Sequence, residues 1–124
     1  MNSEQKGRLL EELFEHATEA IITINQHGAI MLVNPAAEKL FLYTMQELEG
    51  KTVEFLMPAR YNHRHRQHRE HYNVHPHSRS MGMGMDLYAQ KKDGTEFPVE
   101  ISLSPFESEG EVFTMAFIIE ITLR

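Results

Sequence analysis

The sequence contains no cysteine. Disulfides, iron–sulfur clusters and thiolate zinc sites are therefore all excluded. No apolar run approaches the roughly 20 residues that a membrane-spanning helix needs. The opening stretch MNSEQKGRLLEELFEH is charged and amphipathic and lacks the apolar core of a signal peptide. Catalytic signatures are missing as well: there is no nucleophile–base motif, no glycine-rich phosphate loop, no pair of carboxylates in an apolar setting and no kinase ATP-binding apparatus. Catalysis is accordingly not expected of this chain. Positive charge is in deficit, with 12 Lys and Arg against 18 Asp and Glu and a net charge of −6. That balance argues against a nucleic-acid partner, whose phosphates call for a basic face. The expectation is a cytoplasmic domain without membrane contact. A length of 124 residues fits a single domain, 1–124, and the hydrophobic fraction of 41% is ordinary for a globular protein.

What is present has a readable order. Ser3 is placed to cap a first helix on which Leu9, Leu10, Leu13, Phe14 and Ala17 recur at helical spacing. This helix, residues 1–17, can either cap the rest of the fold, residues 18–122, or pair with a second subunit. Ala20–Asn25 and Ala29–Val33 read as a hairpin around Gln26-His27-Gly28. Asn34-Pro35 starts a short helix, and Thr44 with Glu47 forms a capping box that starts another, ended by Gly50. VEFLMP is an apolar connector. Strands are expected over Met81–Gln90, Thr95–Pro105 and Val112–Ile121, with Asp93-Gly94 turning the first pair and ESEGE the second. The sum is an α+β fold: a five-stranded antiparallel sheet with short helices on one face and an N-terminal amphipathic helix.

Between Arg60 and Arg79 lie six of the eight histidines, with five arginines against a single acid, Glu70, a local charge of +4 before any histidine is protonated. If Tyr61 to Asn73 is one helix, a rotation of about 100° per residue puts Tyr61, His65, His68 and Tyr72 on one stripe. His63, Arg66 and Glu70 fall on the opposite side. Only His65 and His68 are thus placed by periodicity to face the fold. An inward imidazole among aromatic rings suits the iron of a haem. It equally suits packing and hydrogen bonding in a haem-free cavity. Zinc is disfavoured because His63 points away from His65 and His68 and no carboxylate completes the set. Met81, Met83 and Met85, at period two, read as face packing on general grounds. Gly82 and Gly84 within a strand allow close approach of a ligand or of backbone.

The words LFEHATEAIITINQHGAIMLVNPAAEKLFLYTMQELEGK, KKDGTEFPVEISLSP and IIEIT occur in this order, from about Leu13 to Thr122. Together they resemble the PAS domain, a sensor module of bacterial signalling proteins. The last word is similar to the terminal Asp-Ile-Thr signature, with Glu120 in the acidic place. The resemblance implies a curved sheet that encloses a ligand and an attached output domain, such as a histidine kinase or a cyclic-dinucleotide enzyme, commonly as a homodimer. Within the family, the likeness is greatest to the haem-binding, oxygen-sensing members. Their axial histidine lies eight residues after the methionine of a Met-Pro element, which is His65 counted from Met57. The same residue is reached by counting back from KKDG. By the same resemblance Met83 matches a distal methionine ligand, and Met85 stands where the kinase type has an arginine. His71 and Arg79 fall near positions that contact haem propionates. The implied cofactor is a b-type haem. The competing expectation is a haem-free domain, empty or holding a small apolar or fatty ligand, that serves in dimerisation and protein interaction. The signal would leave through the final strand, with Glu120 and Thr122 at its end.

Overall fold

Side chains close in sequence set most of the local structure. The structure, a computed structural model, describes residues 1–61, 79–81 and 87–121. Helix α1 spans Ser3–His16, and its cap is Asn2 rather than Ser3: the Asn2 side chain accepts from the Gln5 N–H, and the Gln5 side chain returns the bond. Strands β1 (Ala20–Ile24) and β2 (Ile30–Val33) form the expected hairpin. Its turn is held by Asn25 Oδ1, which accepts from the backbone N–H of His27 and Ala29, and by Gly28 at φ 79°. Helix α2 (Pro35–Phe41) begins at the Asn34 cap with Pro35 at its first turn, and α3 (Met45–Leu48) begins at the Thr44–Glu47 capping box, as the sequence predicts. Between them Leu42 holds a left-handed conformation, φ 66°, which costs a leucine about 1–2 kcal/mol. VEFLMP is not irregular: Val53–Leu56 forms a 3₁₀ turn, and Ala59–Tyr61 forms another. The helix expected over Tyr61 to Asn73 lies outside the described residues beyond its first position.

The remaining strands are β3 (Arg79–Met81), β4 (Tyr88–Gln90), β5 (Glu96–Ser108) and β6 (Glu111–Glu120). All pairings are antiparallel, in the order β2-β1-β6-β5-β3, and β4 also pairs with β5. Five positions across the sheet are therefore filled, as expected. The strand predicted over Met81–Gln90 is described as two short segments on the same edge of β5, with Met81 opposite Ile101 and Tyr88 opposite Pro98. Strand β5 runs three residues past Pro105. It turns into β6 through Glu109 and Gly110, both at positive φ (51° and 80°), the signature of a tight two-residue hairpin turn.

The core lies between the sheet and the short helices. Ile22, Ile30, Phe41, Leu48 and Val99 are almost completely buried there, each contributing about 1.5–3 kcal/mol by leaving water. Phe41 and Phe97 meet at a ring separation of 5.7 Å, joining α2 to β5. In contrast, α1 buries none of its residues, and Leu9, Leu10 and Leu13 are exposed.

Candidate functional site

Pairing register arranges the sheet into rows. One row runs Val33, Ile22, Ala116, Leu103, and the next runs Ala20, Ile118, Ile101; in the backbone of β3, Arg79 pairs with Leu103 and Met81 with Ile101. Side chains alternate between faces along a strand, so these rows belong to the helix-facing side, where Ile22, Val33, Ala20, Ala116 and Ile118 are buried. On β5, Phe97, Val99, Ile101 and Leu103 alternate with residues of the other face, but coverage is uneven. Phe97 and Val99 are buried, whereas Ile101 and Leu103 pack against the core and remain only partly covered. An apolar wall is thus left partly open on the stretch of β5 that pairs with β3.

The histidine segment is tied to that same strand at both ends. Before it, the Arg60 guanidinium grips the Glu96 carboxylate as a fork, Nη1 to Oε2 at 3.0 Å and Nη2 to Oε1 at 2.8 Å. After it, Arg79 enters β3 opposite Leu103. Glu96 and Leu103 are seven residues apart on β5, or about 23 Å at 3.3 Å per residue. Of the predicted site residues, His65, His68, His71 and Tyr72, and likewise Met83 and Met85, lie outside the described residues. Arg79 is described in the backbone of β3, paired with Leu103. Leu87 rejoins β5 by accepting from the Val99 N–H. The Gly82-Met83-Gly84-Met85 run lies outside the described residues. Among the described residues, no group of three or more His, Cys, Asp or Glu is arranged to hold a metal.

Two features escaped the sequence reading. Glu54, inside the apolar VEFLMP word, is 2% exposed. A buried carboxylate is strongly disfavoured unless paired or protonated, and nothing in its neighbours' hydrophobicity announces it. The second is the Arg60–Glu96 fork, which joins residues 36 apart. The hydrogen bonds from Arg60 hold the Glu96 carboxyl below its ordinary range, and those from Lys92 do the same for Glu47. Both carboxylates are exposed. Because their folded values are depressed, the stability they lend is present above the unfolded carboxylate value and lost as pH falls through the folded one.

A family model of the PAS fold matches residues 8–121. The chain is 31% identical over 113 residues to the sensor protein FixL of Bradyrhizobium diazoefficiens, covering 91% of this chain and 22% of that protein. It is 32% identical over 97 residues to the oxygen sensor protein DosP of Escherichia coli K12, covering 78% of this chain and 12% of that protein. The chain thus spans less than a quarter of the length of either relative. Among solved structures, the PAS domain of an HTR-like protein from Haloarcula marismortui superimposes with a TM-score of 0.78 at 21% identity, covering 95% of this chain and 93% of that one. No helix among the described residues is long and apolar enough to cross a membrane. Family model, relatives and sheet order agree: the chain belongs to the PAS family, whose members are sensory modules.

Proposed function

We propose that this chain is the sensory input domain of a larger signalling protein and that it holds a b-type haem through His65. The partly open apolar wall at Ile101 and Leu103 carries the reading. A haem needs an apolar surface for its ring, an imidazole for its iron and cations for its propionates. The wall meets the first need. His65 meets the second, with His68 and Tyr72 on the same predicted stripe and Met83 as sixth ligand. Arg79, paired with Leu103 in the backbone of β3, meets the third together with His71. Met85 stands where the kinase type has an arginine, and its thioether has no hydrogen to donate, so this position supplies no hydrogen bond to bound gas. When bound, the group supplies a gas-binding, redox-active iron. The protein's share is to hold it, exclude water from it and pass on its state. Catalysis then belongs to an output domain, a histidine kinase or a cyclic-dinucleotide enzyme, in the cytoplasm. The test is an absorption spectrum of protein expressed with a haem precursor, followed by haem titration of the apoprotein. Stoichiometric uptake with a sharp Soret band is expected, and a chain that takes up no haem is a haem-free PAS domain.

A second reading, the chain as a dimerisation module, is favoured by α1. Its exposed Leu9, Leu10 and Leu13 bury nothing within this chain, and an apolar stripe of that kind suits a second copy. Sedimentation should give a dimer for the full chain and a monomer for one that begins at Leu13. Equal masses for the two remove α1 from the interface. This reading is compatible with haem or with its absence.

A further inference from the structure

Asn34 is fully buried, and its side-chain amide makes four hydrogen bonds. The two ends of that amide serve different elements. Oδ1 accepts from the backbone N–H of Ile21 at 2.9 Å and of Ala37 at 3.0 Å, joining β1 to the start of α2. Nδ2 donates to the carbonyls of Glu19 at 3.0 Å and Phe14 at 3.3 Å. Glu19 lies in the link between α1 and β1, and Phe14 lies in the last turn of α1. Among the described residues, the bond to Phe14 is the only hydrogen bond that joins α1 to the rest of the fold. Helix α1 is 14 residues long and buries none of them. A helix of that length is marginal in water alone, so its last turn depends on what holds it.

We propose that Asn34 is a positioning residue that couples the N-terminal helix to the ligand-facing side of the sheet. Ile21, bonded to Oδ1, is the immediate neighbour of Ile22, which lies on the row of Ala116 and Leu103. A movement of β1 against α2 must reorient the amide, because Oδ1 is shared between them. The same rotation changes the aim of Nδ2 at Phe14. An amide with every donor and acceptor satisfied in a buried setting cannot shift at one end without leaving a polar group unpaired at the other. The N-terminal helix is thereby a route for the signal additional to the C-terminal strand, whatever ligand the core holds.

Asn34→Asp separates the two ends. Aspartate caps a helix as well as asparagine does, so the bond from Ala37 is kept. The donor is replaced by an oxygen that faces two carbonyls. Hydrogen exchange should then speed up by about tenfold or more at the amides of residues 10–16, while Ala37 keeps its wild-type protection. Asn34→Ala should release both sets and lower the urea midpoint. The coupling has its own readout, Ile22→Val. It should alter α1 exchange in the wild-type background and add nothing in the Asn34→Asp background, where the joint is already open. Unchanged α1 exchange in Asn34→Asp, or equal acceleration at α1 and Ala37, overturns the proposal. So does an Ile22→Val effect of the same size in both backgrounds.

Discussion

Replacing His65 by alanine is expected to abolish the Soret band of the haem-loaded protein, while His63→Ala leaves it in place. The difference rests on about 100° of rotation per residue. On the helix that the sequence predicts over Tyr61 to Asn73, His65 falls on one stripe with Tyr61, His68 and Tyr72, whereas His63 falls on the other side. Iron accepts the lone pair of a neutral imidazole, and a methyl group offers none, so the expected change is loss of the band rather than a weakened one. Acid should mimic the substitution in part. Proton and iron compete for the same nitrogen, so lowering the pH should release the group. Met83→Leu should act on the opposite side, turning a six-coordinate ferrous spectrum into a five-coordinate one with the Soret band retained. If His65→Ala takes up haem as the wild type does, His65 is a packed histidine and the haem reading fails. A band lost in both His63→Ala and His65→Ala would instead mean that the whole segment had been disturbed.

Phe41→Ala should cost about 3–5 kcal/mol, the range for deleting a buried aromatic side chain. That is a large part of the roughly 5–15 kcal/mol that keeps a small domain folded. Phe41 is 1% exposed and stands at the end of α2 with its ring 5.7 Å from that of Phe97. Its carbonyl also accepts from the backbone N–H of Lys92 at 3.0 Å, so the tip of the β4–β5 hairpin rests on the same residue. A cavity there would loosen α2 from β5 and, with it, the strand to which both ends of the histidine segment are tied. Urea denaturation followed by circular dichroism measures the loss. A fall of less than about 1 kcal/mol would mean that the ring space collapses and that Phe97 carries the junction alone. Leu42→Ala, beside it but 47% exposed, is the control and should be nearly silent.

Elements whose causes are local were legible in the sequence. Asn34-Pro35 and Thr44 with Glu47 start helices through side chains within three residues of the ends that they cap. The misplaced cap of α1 was legible too. Ser3 would need an acceptor at Lys6, which has none, while Asn2 finds Gln5 at the right spacing. The strand expected over Thr95–Pro105 continues past its proline, which cannot donate to a ladder. Pro105 is tolerated because it pairs with Thr114 of β6 beyond the residues of β5 that β3 covers. The Glu109-Gly110 turn lacks the asparagine or aspartate that usually announces positive φ at its first residue. At the candidate site, periodicity nominated His65 and His68, and the family resemblance implied the axial role of His65 and added Met83, Met85, His71 and Arg79. Neither could reveal the burial of Glu54, the Arg60–Glu96 fork or the bonds from Asn34 to Glu19 and Phe14, which join residues far apart in the chain.

Strand β2 lies at one margin of the sheet and carries Met31 and Leu32, both substantially exposed. An open margin bearing such residues invites a foreign strand to add to it, the first step of aggregation or strand exchange. Here three of the groups that such a strand would use are already engaged. The Ile30 N–H reaches the Lys51 carbonyl at 2.8 Å, its carbonyl accepts from Gly50 at 2.9 Å, and the Val33 N–H rests on Met45 Sδ at 3.2 Å. Gly50, at φ 83°, is the residue that lets the chain double back after α3 to make this seal. Copies of the domain strung in tandem or crowded together are therefore steered away from zipping along this margin. Resistance to such pairing is thus expected to depend on a glycine that lies outside the hydrophobic core.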